Sequence, residues 1–141
     1  MRRVDALFER YAESHRHPRN KAIHWVCVPL ITWSLLAILW WIAPAAAYVL
    51  IGVAMLYYAR LSFTIAIGML AVAALMVYAL MQLGDAMLPV AIAVFVAAWA
   101  GQFVGHRIEG KQPSFVEDVR FLLVGPAWPL ADAYRRFGIP Y

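Results

Sequence analysis

Charge is scarce in this chain. Only 14% of its 141 residues are Asp, Glu, Lys or Arg, against 65% hydrophobic, a balance outside the range of soluble domains. Cysteine is scarcer still. The one cysteine, Cys27, stands inside an apolar run, which excludes a disulfide framework and any cysteine-rich zinc site. It leaves a side chain that packs as a small hydrophobe and is a poor nucleophile. There is no glycine-rich loop ending in Lys-Ser/Thr and no G-x-S-x-G elbow, so phosphate-loop chemistry and acyl transfer of the α/β-hydrolase kind have no basis here. Internal repeats are absent, and there is no low-complexity segment beyond alanine-rich runs. The first 24 residues are charged and amphipathic rather than a compact apolar core with a small-residue cleavage site, so no cleaved signal peptide is expected.

What the chain does have is length of apolar sequence. Residues 25–42 are apolar apart from Thr32 and Ser34, whose hydroxyls can bond back to their own helix. At ~1.5 Å per residue this run crosses a hydrocarbon core of roughly 30 Å, with a kink expected at Pro29. A turn at Pro44 leads to a shorter span over 45–59 that ends in Tyr57 and Tyr58. A tight connection through Arg60 leads to a third span over 63–83, and a turn at Gly84 and Asp85 to a fourth over 87–104. The small residues Gly101 and Gly105 in and just after the fourth span permit close helix contact. Ahead of the spans, Val4, Leu7, Phe8 and Tyr11 have the spacing of a short amphipathic helix, which should stop near His15 because Pro18 disfavours helix at His17 and allows a fresh start at Pro18 or Arg19. After Gly110 the sequence is amphipathic and interrupted by Pro126 and Pro129, and reads as two short interfacial helices anchored by Trp128, Tyr134 and Phe137. The expected fold is all-α. It is a single membrane domain over 1–141, with an interfacial helix and histidine segment in 1–24, four transmembrane helices in 25–104, and a histidine segment with interfacial helices in 105–141.

Net charge is +4, with twelve Lys and Arg, but their position argues against nucleic acid. Six lie at or before Lys21, five after Gly105, and Arg60 stands alone between them. The turns at Pro44 and Asp85 contain none. Four crossings return both termini to one side, and the positive-inside rule puts that side in the cytoplasm, next to anionic lipid.

All four histidines fall at this face: His15, His17 and His24 before the first span, His106 after the fourth. Imidazole is the commonest metal ligand, while a juxtamembrane histidine taken singly is more often solvated, which is the reading for His17. His15 and His24 are about 900° apart on an ideal helix and so on opposite faces. A shared site needs a bend, which Pro18 and Asn20 would supply, Asn20 capping a helix that begins near Lys21. Glu109 lies at i+3 from His106, as a second ligand or an orienting partner, and Gln102 one turn before it, as a partner or a plain interhelical hydrogen bonder. Imidazoles without cysteine suit a non-haem Fe(II) centre with open positions, and zinc fits the same ligand type. Histidines facing each other within the spans, as a sandwiched haem would need, are absent. Asp85 is on the opposite side and reads as a turn residue.

The pattern Tyr11-x3-His15-x4-Asn20-x3-His24, then Val26-Cys27-Val28-Pro29-Leu30, and later Gln102-Phe103-Val104-Gly105-His106 with Glu109 and Pro113, resembles the family of small membrane 2-hydroxy fatty acid dioxygenases typified by the yeast endoplasmic-reticulum enzyme, formerly a domain of unknown function. The resemblance runs from about Phe8 to Trp128. It implies an Fe(2+)-dependent enzyme of fatty acid α-oxidation, which uses molecular oxygen to convert a 2-hydroxy fatty acid into the acid one carbon shorter; in yeast this serves phytosphingosine breakdown. His15, His24 and His106 match the family's histidines and become the implied catalytic and metal-binding set. His17 lies outside the pattern, as a partner of a ligand or an incidental residue, and Asn20, Glu109 and Gln102 stand as further ligands or as partners that orient them. A 2-hydroxy acid can chelate a metal through its carboxylate and hydroxyl oxygens. Arg16, Arg19, Arg107 or Lys111 could pair with that carboxylate, Arg107 and Lys111 being favoured, although each alone reads more simply as a positive-inside charge on lipid phosphate. Two other readings stay open: a non-catalytic lipid-binding or scaffold protein with interfacial histidines, and a zinc-dependent lipid enzyme. Di-iron desaturase relatives are less apt, since the one H-x-H box is His15 with His17. The compact form without a eukaryotic retrieval signal points to a bacterial inner membrane.

Overall fold

The long apolar runs become long helices, and their ends follow local chemistry. A computed structural model describes residues 2–141; Met1, the first residue of the expected interfacial segment, lies outside the described residues. Six α-helices follow in order: α1 (Arg3–Ala12), α2 (Pro18–Ile42), α3 (Pro44–Leu61), α4 (Phe63–Met81), α5 (Met87–Glu109) and α6 (Phe121–Arg136), with single 3-10 turns at Gly84–Ala86 and Ser114–Val116. No strand occurs among the described residues. Pro18 and Pro44 occupy first-turn positions of α2 and α3, where the missing N–H costs nothing. Ser62 caps α4 by accepting from Ile65 N at 3.3 Å. Gly110, at φ 75°, ends α5 in the left-handed conformation that glycine adopts without strain.

Four helical segments are long and apolar enough to cross a membrane: α2, α3, α4 and Gly84–Glu109. Their outer surfaces carry exposed Leu56, Phe63, Leu75 and Val96, which suits lipid rather than water. Thr32 Oγ1 and Ser34 Oγ bond back to Val28 O and Ile31 O, each at 2.9 Å, as expected for hydroxyls within a span.

Three boundaries differ from expectation. First, α1 ends at Ala12 rather than near His15. The backbone N–H groups of Arg16 and His17 are drawn to the Glu109 carboxylate instead of to helical carbonyls. Second, α2 takes the start at Pro18 that this proline allows rather than one near Lys21, and is capped by His17, whose side chain accepts from Arg19 N. Asn20 is therefore not a cap but a buried residue of the first turn. Third, the two short C-terminal helices are one, α6, with Pro126 and Pro129 inside it. The burial of Phe121, Val124, Ala127, Trp128 and Ala131 along one face holds it together across the missing bonds. Trp128 is accordingly a core residue at 2% exposure, not an interfacial anchor.

The central pair is α2 with α5. A Cβ on Gly101 would stand 2.7 Å from Cys27 Sγ, and one on Gly105 2.5 Å from Asn20 Oδ1, so the glycines set the interhelical distance as their sequence positions suggested. Alongside, α3 packs on α4. At one end Leu36, Ala37, Ala47, Leu80 and Ala91 form a small core. At the other, α6 lies on α1 and α4, and a larger core joins Val4, Phe8 and Tyr11 to Ile65, Val124 and Trp128.

Candidate functional site

The amphipathic stripe of α1 ends in Tyr11, whose buried ring becomes the floor of the site. It stacks on His15 with centroids 4.6 Å apart and planes at 17°. His15 lies in the short connection between α1 and α2, His24 in the second turn of α2, and His106 near the end of α5. Their rings form one buried cluster: centroids of His15 and His24 are 4.6 Å apart, and those of His15 and His106 5.0 Å. Trp128 of α6 closes it, 5.2 Å from His15 and 5.0 Å from His24.

Hydrogen bonds assign the protons. His15 Nδ1 is 3.0 Å from Tyr11 O. A carbonyl only accepts, so Nδ1 carries the hydrogen and Nε2 is a lone pair. Burial pushes the His15 imidazole down to about 4, with neighbouring His106 acting in the same direction, so the ring is neutral at pH 7. His24 is fully buried. Its Nε2 lies 3.2 Å from Gly125 O and its Nδ1 3.2 Å from Tyr11 Oη. Burial pushes the Tyr11 phenol well above its ordinary range, so this hydroxyl keeps its proton.

Several buried polar atoms here have no partner among the described residues: His15 Nε2, His106 Nδ1, Gln102 Oε1 and Asn20 Oδ1. Buried lone pairs are ordinarily satisfied, and two imidazole nitrogens left free beside a third imidazole are the donor chemistry of an iron or zinc site. In chemistry the residues fit such an ion. In arrangement they are one step short of a cage: no three His, Cys, Asp or Glu side chains among the described residues stand ready to hold a metal, and His24 has both nitrogens engaged by Tyr11 and Gly125.

The residues around the cluster have distinct jobs. Glu109 Oε1 accepts from Arg16 N at 3.0 Å, and Oε2 from His17 N at 2.8 Å and Asn20 Nδ2 at 3.2 Å. Both oxygens are thus committed to holding the His15 segment against α5. Asn20 Nδ2 also donates to Ser14 O at 2.9 Å. Gln102 is buried one turn before His106, and His17 is exposed at its cap. Arg16, Arg19 and Arg107 are exposed, whereas Lys111 Nζ reaches Glu13 O at 3.2 Å. Lys111 lines a polar cavity of about 280 Å³ with Arg10, Glu13, Ser14, Gln112 and Glu117. Ser14, which lines this cavity and bonds to Ser114, precedes His15 in the chain.

Tyr11 supplies its Oη to this site, its place at the head of the histidine pattern being the hint of that, whereas Trp128, Gly125, Ser14 and Ser114 belong to it although sequence reasoning assigned them no part. Of these four only Gly125 left a signal: Pro129 stands four residues after it in a helical segment, which frees one carbonyl.

Four membrane-crossing helices with a buried trio of histidines at the shared end of the first and last define a small integral membrane protein with an internal polar site. The family profile described as 2-hydroxy-palmitic acid dioxygenase Mpo1-like matches residues 1–137, and the chain belongs to this Mpo1-like family. Comparisons with curated proteins and with solved structures give no match.

Proposed function

We propose that the protein is an iron(II)-dependent dioxygenase that converts a 2-hydroxy fatty acid into the acid one carbon shorter, with His15, His24 and His106 as the metal-holding set. The observation that carries this reading is the buried cluster itself: three imidazoles from three separate elements, two with unpartnered nitrogens, in a chain of a dioxygenase family. When bound, iron would supply oxygen activation and a point of chelation for the substrate's carboxylate and hydroxyl. The overall conversion balances without an external reductant: 2-hydroxy acid plus O2 gives the shortened acid, CO2 and water, the substrate yielding the four electrons that reduce one O2.

The chain's own groups divide the remaining work. Glu109 and Asn20 hold His15 in place, and Tyr11 and Trp128 exclude water from the imidazoles. Lys111 offers a cation at the polar cavity for the substrate carboxylate, with the alkyl tail left in the bilayer. The cluster faces the cytoplasm of what we take to be a bacterial inner membrane, since every Lys and Arg lies in the segments at this end.

The test is direct. Purified protein loaded with Fe(II) without oxygen, then given 2-hydroxypalmitate and air, should release the fifteen-carbon acid with one CO2 per O2 consumed, and His15→Ala or His24→Ala should abolish it. Absence of metal uptake by the intact protein, or product formation unaffected by removal of all three imidazoles, would overturn the proposal.

A further inference from the structure

The carbonyl of Gly125 is free in a way that carbonyls inside helices are not. Its ordinary donor is the backbone N–H four residues on, and that residue is Pro129, which has none. His24 Nε2 takes the place of the missing donor at 3.2 Å. Because the carbonyl can only accept, Nε2 bears the hydrogen. A neutral imidazole has one N–H, so Nδ1 is a lone pair, and the Tyr11 hydroxyl 3.2 Å away must donate to it. Gly125 also makes room for that hydroxyl, since a Cβ there would stand 2.9 Å from Tyr11 Oη. Both partners of His24 thus depend on one glycine and on the proline four residues after it. Pro126 frees the Leu122 carbonyl by the same logic, but His24 does not touch that one, so α6 contains its own control.

We propose that Gly125 and Pro129 are positioning residues: the carbonyl freed by Pro129 locks His24 as the Nε2–H tautomer and turns the Nδ1 lone pair toward the Tyr11 hydroxyl. The ring so held offers Nδ1 to a metal once Tyr11 gives way, and this last step alone rests on the iron reading above. A partner that fixes the tautomer and orientation of a ligating imidazole contributes about 10–100-fold to metal affinity.

The tautomer is read without metal or turnover. Full-length protein in detergent, labelled with 15N-histidine and assigned with His24→Gln, should show His24 protonated at Nε2 in long-range 1H–15N correlation spectra. In Pro129→Ala the restored N–H competes for the Gly125 carbonyl, and His24 should move toward the Nδ1–H form or a mixture; Pro126→Ala should leave it unchanged. Tyr11→Phe should keep Nε2 protonated and move the Nδ1 resonance to that of an unbonded lone pair. Co(II) titration followed by ligand-field absorption should lose about 10–100-fold in affinity in Pro129→Ala and nothing in Pro126→Ala. A wild-type His24 protonated at Nδ1 overturns the proposal, whether or not the variants fold. So does Pro129→Ala with wild-type tautomer and Co(II) affinity. Wild-type protein with the Nε2–H form that takes up neither Co(II) nor Fe(II) would sink the dioxygenase reading while supporting the tautomer lock.

Discussion

Glu109 sits at the end of α5 where a metal ligand was conceivable, yet its two oxygens receive three N–H donors from Arg16, His17 and Asn20. Hydrogen bonds to a charged acceptor are worth ~1.5–3 kcal/mol each when buried and less at a part-exposed site. Glu109→Ala should therefore lower stability by about 1–2 kcal/mol, seen as reduced thermal stability in detergent, and should loosen His15. Glu109→Gln, which retains an acceptor oxygen, should lose less and keep Co(II) affinity within a few-fold. A collapse of metal binding in Glu109→Gln at unchanged melting would instead make the carboxylate a ligand. His17→Ala removes only the acceptor of Arg19 N and should cost about 0.5–2 kcal/mol as a lost cap, with turnover per folded protein preserved. The clustering of all four histidines at one face drew attention to them because imidazoles are rare in this chain, and the family resemblance narrowed the set to His15, His24 and His106. Trp128 was unreadable as a site residue, and Tyr11 was legible only as the first residue of the histidine pattern, since an aromatic at helical spacing looks the same whether it packs on leucine or on imidazole.

At the level of elements, the site depends on how closely α5 approaches α2. Gly105 faces Asn20 and Ile23, with 2.5 Å between a built Cβ and Asn20 Oδ1, and His106 follows it directly. Gly105→Ala must push the helices apart, at about 1–3 kcal/mol for overpacking, and should weaken Co(II) binding by moving His106 from His15. Gly52, whose Cβ would meet nothing within 4 Å, is the matched control: Gly52→Ala should leave metal binding untouched and stabilise α3 by about 0.5–1 kcal/mol. Equal effects of the two substitutions would deny that this contact places His106. The glycines were legible in the sequence as small residues near a span end. The single α6 was not, because its two prolines argue locally for a break, and only the burial of Trp128, Val124 and Ala131 against α1 and α4 decides for continuity.

For the whole molecule, parity of crossings matters most. Two turns without Lys or Arg lie at one end, near Pro44 and Asp85, while α1, α6, Arg60 and the histidine cluster occupy the other. In cells, a membrane-impermeant maleimide should label Asp85→Cys and spare Arg60→Cys, both in a Cys27→Ser background; the reverse pattern would place the cluster outside. Four helical crossings and the gathering of the histidines at their shared end could be derived from the chain alone, because hydropathy over some twenty residues and the scarcity of histidine are signals that need no neighbours. Which nitrogen each imidazole keeps free, what Glu109 holds, and that α6 stays whole over its prolines were settled by the packed structure. Each of these depends on a contact between residues far apart in the chain, such as His24 with Gly125 or Arg16 with Glu109, and local spacing carries no record of such contacts.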